Sequence, residues 1–418
     1  MSTINPLGDT LESYYSNLIA GVSGIKVWQS IDLTRVECKI GGDLGDYDCK
    51  AALARLQEKI PAARFKKTAQ LFKHATFSNK LSMLCALQAY TDANLSGNED
   101  DPFRTSVLVA GHNFNSNYIT KNIEQFKIEP LYIDPLMGVE GLDPNIAASI
   151  SEILGLRGPT FTLGAACASG NIALRDGFRD ILMGECDRSI VSGALFDMTA
   201  ADIHAMASLD SVVVKPEYQK NPQAASRPFD TKRCGFVPAH GAATLVLEEL
   251  SSAKERGARI YAEVLGVKAN ANANHLPAPS ADSMIWLIGE LLTSTGVAPS
   301  QIDYINCHAT GTPLGDVEEI RAIKEAFGAH AYRLKLNAPK SMLGHVCWSA
   351  AIVETIGAVL QMNHSMLHPT INIDELDPEV DLDVCANEAK PCTINYMLKN
   401  SFGFGGLNCC SLLKKYEE

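Results

Sequence analysis

Thr160-Phe-Thr-Leu-Gly-Ala-Ala-Cys-Ala-Ser-Gly170 decides how this chain is read. Four residues of strand character run into a loop of small residues, and an apolar helical pattern follows over Asn171 to Met183. A second stretch, Leu334-Lys-Leu-Asn-Ala-Pro-Lys-Ser-Met-Leu-Gly-His345, runs the same way into a helix over Ala350 to Met362. Strand, small-residue loop and helix therefore occur twice. The repetition predicts a duplicated α/β unit whose halves meet near residues 250–260. We divide the chain at 1–255 and 256–418.

The segments around these stretches keep the alternation. Strands are expected at Thr105 to Ala110, Arg188 to Ser192, Ala242 to Glu248, Ile260 to Val267 and Ile302 to Asn306. Helices are expected at Asn145 to Leu154, Ser252 to Gly257, Ala281 to Gly296 and Val317 to Phe327. Lys215 to Arg227, with two prolines, reads as a surface loop.

Composition narrows the function. The chain has 418 residues, enough for two domains or one fused double domain, and is 46% hydrophobic and 20% charged. No apolar run approaches a membrane span, and the N-terminus carries no signal pattern, so a cytoplasmic protein off the membrane is expected. A net charge of −12 argues against nucleic acid as partner. An acidic partner would need a local basic patch, for which Arg64 to Lys80 is the candidate; solvated helix charges are the plainer reading there. The twelve cysteines are scattered without zinc-site spacing, and most read as small buried hydrophobes, Cys85, Cys307 and Cys385 among them. No metal is expected.

Three loops carry the chemistry. Cys167 lies between a strand and a helix among small neighbours, at a dipole end that favours thiolate and near amides able to hold an oxyanion. A lone cysteine would more often be a buried structural residue. His308, in Cys307-His-Ala-Thr-Gly-Thr-Pro313, and His345, in Lys340-Ser-Met-Leu-Gly-His345, change that balance. Each follows a strand in a glycine-bearing loop, and paired imidazole N–H groups suit an enolate or thioester oxyanion. Thr310 and Thr312 can bind an amide-bearing arm or simply hold a turn. Lys340 reads as a structural cation, with Asp316 and Glu319 as candidate partners. Asn400-Ser-Phe-Gly-Phe-Gly-Gly406 lacks the lysine and helix of a phosphate loop and reads as a tight turn between strands, with Phe402 beside it.

Together these motifs resemble the elongating β-ketoacyl-acyl carrier protein synthases, or ketosynthases. The likeness extends from Pro6-Leu-Gly8 through Gly155-Leu-Arg-Gly-Pro159, Asn221 to Asp230 and Leu245 to Glu249 to the glycine-rich turn. It implies a thiolase fold, two similar α/β halves in five α-β-α-β-α layers, and a homodimer. It implies that Cys167 carries the acyl group, that His308 and His345 promote decarboxylation of a malonyl-carrier protein, and that Lys340 and Glu319 organise the site. Thr310 and Thr312 would bind the phosphopantetheine of an acyl carrier protein. Phe402 would gate it, and the amides of Cys167 and Phe402 would form the oxyanion hole. No intrinsic cofactor is implied.

Four departures point towards a free-standing polyketide-pathway member. The family's first strand is expected to be missing or shortened, since Pro6-Leu-Gly8 comes so early. His112 occupies the region of an apolar gate to the acyl pocket, where an unpaired polar group would cost about 1–3 kcal/mol. Phe236-Val-Pro-Ala-His-Gly241 replaces a Gly-acid-Gly run, and Val346-Cys-Trp-Ser349 replaces a Gly/Ala-rich segment. Condensation is the favoured activity. A decarboxylase making acetyl-carrier protein for a β-branching cassette is the alternative, although that class tends to replace the cysteine by serine. A non-catalytic chain-length-factor partner fits poorly with an intact Cys-His-His set. Thiolase itself needs a second catalytic cysteine, for which Cys409-Cys410 are badly placed.

Overall fold

The computed structural model describes residues 1–95, 101–276 and 278–417. Its first sheet is built from β1 (Ser2–Ile4), β2 (Thr105–Ala110), β3 (Thr160–Leu163), β4 (Arg188–Gly193) and β5 (Ala242–Glu248). Its second is built from β6 (Glu263–Ala271), β7 (Tyr304–Asn306), β8 (Lys335–Asn337), β9 (Tyr396–Gly403) and β10 (Leu407–Lys414).

The two sheets have one topology. Their spatial orders are β3-β2-β4-β5-β1 and β8-β7-β9-β10-β6. In each, the first three strands are parallel and the last two pairings antiparallel. Of the two expectations for the first strand, missing or shortened, the strand is present and short: β1 pairs with β5 from Ser2 opposite Thr244 to Ile4 opposite Ala242.

Side-chain alternation sorts the strands into layers. Val107 and Val109 of β2 pack outwards against α1 (Phe77–Asp92) and α2 (Pro144–Leu154). Leu108 and Ala110 face inwards. Leu398, Cys410 and Leu412 of the second sheet pack outwards against α4 (Ala281–Thr295) and α5 (Pro313–Phe327). Between the sheets lie α3 (Ser169–Leu182) and α6 (Ala350–His364). Five layers result, as in a thiolase fold. Every residue of α6 from Ala350 to Met362 is buried, which explains why its sequence is apolar on every side apart from Glu354, Thr355 and Gln361.

The two central helices meet at their N-termini. A Cβ on Gly170 would stand 2.8 Å from that of Ala351, so glycine permits the approach. Each helix is preceded by a 3₁₀ turn, Ala166–Ala168 and Cys347–Ser349. Ala166 and Cys347, which open these turns, have φ of +47° and +49°. The sequence echo is thus a structural one.

Two local readings change. Strand β6 begins and ends later than Ile260 to Val267. Lys215 to Arg227 lies at the surface as expected over most of its length, but it is not irregular: it holds helical turns at Pro216–Lys220 and Pro222–Ala224, and its end turns inwards, with Arg227 buried in ion pairs with Asp230 and Asp374.

Candidate active site

Cys167 is held by its turn. The Ser169 hydroxyl accepts from the Ala165 N–H at 2.8 Å and donates to the Ala166 carbonyl at 2.6 Å, which fixes the loop on the end of α3. The glycine-rich turn comes down beside it. A Cβ on Gly403 would lie 2.8 Å from the Ala165 carbonyl oxygen. This approach brings the Phe404 N–H to the sulfur, where it joins the N–H of Cys167 itself. The amide facing Cys167 is therefore that of Phe404, not of Phe402 as the resemblance implied. Two aromatic residues two apart in a tight turn present different groups, and the turn's path decides which one donates.

Burial pushes the Cys167 thiol up to about 11, against the opposing pull of Lys340 and the two amides. Desolvation is the largest influence on the thiol and favours its protonated form.

His308 follows β7 on a backbone clamped by Glu319. The N–H groups of His308 and Ala309 donate to the two Glu319 carboxylate oxygens at 2.9 and 2.8 Å, and Asn400 Nδ2 donates to the first at 2.9 Å. Lys340 Nζ donates to the His308 carbonyl at 2.7 Å and stands 3.5 Å from its Nδ1. An ammonium only donates, so Nδ1 is the acceptor and Nε2 carries the proton. His345 reaches the same state differently: the Cys347 N–H donates to its Nδ1 at 3.1 Å, leaving a protonated Nε2 that is buried without a protein partner. The rings meet edge to face at 5.7 Å. Burial, reinforced by the Lys340 and Lys399 charges, holds both imidazoles well below their ordinary range, so both are neutral at physiological pH.

Lys340 does not pair with Asp316 or Glu319. Its Nζ lies 2.6 Å from Glu354 Oε1, and Lys399 Nζ lies 2.8 Å from Glu354 Oε2; all three side chains are essentially inaccessible. Asp316 instead accepts from the Phe229 and Gly311 N–H groups at 2.9 and 3.0 Å, and burial pushes it up to about 6. Sequence reading passed over Glu354 and Lys399. Their signal was present: Glu354 is the one charge between Ala350 and Met362, and Lys399 interrupts an apolar strand.

A cavity of about 270 Å³ collects Cys167, His308, His345, Thr310, Thr312, Phe402 and Phe404. The Thr310 and Thr312 hydroxyls are 3.1 Å apart, and Phe402 packs edge-on to His308 at 5.7 Å. A larger cavity, about 490 Å³ around Leu182, Arg256 and Tyr261, shares no lining residue with it.

Several candidates fall outside the cavity. His112 stacks on Trp348 at 4.2 Å. His240 is buried structure: its Nδ1 accepts from the Leu44 N–H at 3.2 Å and its ring edges onto Trp28. In the basic run, Arg64 lies over Tyr90 and Lys67 pairs with Glu152. Among the described residues no three metal-ligating side chains cluster, and no helix is long and apolar enough to cross a membrane.

This constellation is that of a condensing enzyme of acyl thioesters, and the comparisons agree. Residues 1–253 match the β-ketoacyl synthase N-terminal domain and residues 261–374 its C-terminal domain. The chain belongs to the β-ketoacyl synthase family. It is similar to 3-oxoacyl-[acyl-carrier-protein] synthase 2 of Synechocystis sp., at 33% identity over 100% of this chain and 97% of that one. The Staphylococcus aureus protein of the same description is 31% identical over the same shares. Among solved structures, the ishigamide ketosynthase/chain length factor superposes with a TM-score of 0.87 at 28% identity, covering 100% of this chain and 98% of the other. A type II polyketide ketosynthase solved with its acyl-carrier protein, AntDE:AntF, gives 0.84 at 25%, with the same coverage.

Two outcomes are expected. Alkylation of Cys167 by iodoacetamide, taken as the difference from Cys167→Ala, should rise about tenfold per pH unit from pH 7 to 9.5, because the thiolate fraction grows at that rate below a pKa near 11. A plateau below pH 8 would show a thiolate already formed. Glu354→Gln should cost about 3–5 kcal/mol in urea unfolding, since two buried ammonium groups lose their counter-charge. A loss below about 1 kcal/mol would mean the cluster is not charged as described.

Proposed function

We propose that the chain carries out decarboxylative Claisen condensation of a malonyl-acyl carrier protein with an acyl group held on Cys167. The observation that carries this reading is the pair of neutral imidazoles whose Nδ1 atoms are engaged elsewhere, leaving two Nε2–H donors on the cavity that holds the thiol.

Cys167 Sγ attacks the carbonyl carbon of an acyl thioester. The carbon–sulfur bond to the carrier breaks, and the carrier sulfur leaves as a thiol with the proton Cys167 gave up. Malonyl-carrier protein then enters with its pantetheine amides at Thr310 and Thr312. The bond from its C2 to the carboxylate breaks and releases carbon dioxide, while His308 and His345 donate to the enolate oxygen. Enolate C2 attacks the acyl carbonyl, whose developing oxyanion sits between the Cys167 and Phe404 amides. The sulfur departs and takes a proton from solvent. Phe402, over His308, gates the cavity. Lys340 and Glu319 position His308, and Asp316 holds the loop behind it. No intrinsic cofactor takes part; the phosphopantetheine belongs to the carrier.

One observation favours the second reading, a decarboxylase that never loads Cys167: the thiol's raised pKa makes it a poor resting nucleophile. Incubation with malonyl- and acetyl-carrier protein, followed by mass analysis of the carriers, separates the two. A β-ketobutyryl product is expected. Acetyl-carrier protein alone would make the protein a decarboxylase, and no turnover would sink both readings. Cys167→Ala should lose the acyl adduct and retain carbon dioxide release. His308→Ala and His345→Ala should each slow that release by about 10²–10³-fold, and undiminished release in both would remove their role.

We also place the enzyme in a reducing, cytoplasmic compartment as a homodimer. All twelve cysteines are free thiols. Strand β3 is a sheet edge with Phe161 57% exposed, and Ile128, Leu131 and Tyr132 are exposed large apolar side chains as well. Sedimentation should give about twice the chain mass of 45.1 kDa, and Phe161→Glu should shift it towards a single chain; a monomeric wild type would refute the dimer.

A further inference from the structure

We propose that Trp348, stacked on His112, walls off the space behind the nucleophile, so that Cys167 accepts acyl groups of acetyl or propionyl size and rejects longer alkyl chains. The proposal rests on the acyl-transfer reading above and assigns its substrate class.

The cavity approaches Cys167 from the side of Thr310, Thr312 and Leu314. A pantetheine arm delivering a thioester fills that approach, so an alkyl tail has to leave the sulfur on the other side. There the turn Cys347–Ser349 packs against the turn Ala166–Ala168 that carries the nucleophile. Trp348 projects from this turn. Its ring meets His112 at 4.2 Å, tilted by 32°, and Phe196 at 5.1 Å, tilted by 34°.

His112 in turn lies over the nucleophile loop. A Cβ on Gly164, three residues before Cys167, would be 3.2 Å from His112 Cδ2. None of His112, Trp348 and Phe196 lines the cavity. Rings at these separations leave no room for methylene groups between them.

The indole also holds its place at a cost. Trp348 Nε1 is buried and has no hydrogen-bond partner within the chain.

The exclusion works through volume and therefore resides in Trp348. Replacing His112 by an aliphatic residue leaves the indole where it is. Removing the indole opens the space.

The test loads the full-length protein with acetyl, hexanoyl or octanoyl thioesters of one carrier and reads the adduct on Cys167 by intact mass. The wild type should load acetyl at least about tenfold faster than octanoyl. Trp348→Gly should raise the octanoyl-to-acetyl ratio at least about tenfold, and Trp348→Phe should raise it less. His112→Ile alone should leave it within about twofold.

Wild-type loading of octanoyl as fast as acetyl would overturn the proposal, and needs no variant to fold. So would an unchanged ratio in Trp348→Gly whose circular dichroism matches the wild type, or a tenfold change in His112→Ile. An absence of adduct at every chain length would overturn the acyl-transfer reading itself, a different result from adducts of the wrong length.

Discussion

The site depends on one buried carboxylate shared by two ammonium groups. Glu354 stands in the middle of α6, at the centre of the five layers, with Lys340 on one oxygen and Lys399 on the other. Lys340 comes from the turn that follows β8, and Lys399 from the middle of β9. The cluster therefore ties the central helix to two strands of the second sheet, and the Lys340 contact with the His308 carbonyl extends the tie to β7. Removing the carboxylate would strand two charges, a far larger cost than any surface pair could offset.

The same cluster sets the electrostatics of the catalytic loops. Lys340 and Lys399 set positive charge close to both imidazoles. That charge adds to desolvation in holding His308 and His345 neutral, and it works against desolvation at Cys167. A neutral imidazole donates one hydrogen bond per Nε2 without bringing a full charge that the empty site would have to bury. The positive field close by supplies what an enolate oxygen gains when it forms. Preorganised donors beside a fixed charge lower the barrier without rearranging in the reaction.

Much of this was legible in the sequence, and the misses share a cause. Buried parallel strands read as short apolar runs, and α6 reads as a helix because it is apolar on almost every side, so the duplication could be seen in two segments. The three catalytic loops were legible because small residues cluster around one reactive group in each. What failed was pairing across space. Lys340 was matched to carboxylates in a neighbouring motif, whereas its partner lies a helix away and looked like an isolated charge in an apolar run. Phe402 was implied by the resemblance, and Phe404 escaped notice because a sequence does not show which amide of a tight turn faces a given atom. His240 looked like a change to the site and proved to be a buried ring against Trp28 and the Leu44 amide.

His112 shows why burial and partners must be known before polarity is given a role. As a lone polar residue at an acyl gate it would repel alkyl chains by its desolvation cost. In the fold the ring packs against a neighbouring ring instead of standing alone in the pocket. The ring is stacked on Trp348 and burial holds it below its ordinary range, so it presents a neutral aromatic surface. A passing methylene group would lose little against such a face. The two turns that open α3 and α6 are equivalent in backbone, down to the positive φ of Ala166 and Cys347. One delivers the nucleophile and the other delivers an indole against its flank. The duplicated fold thus places a reactive group and the limit on its reach at equivalent points of its two halves.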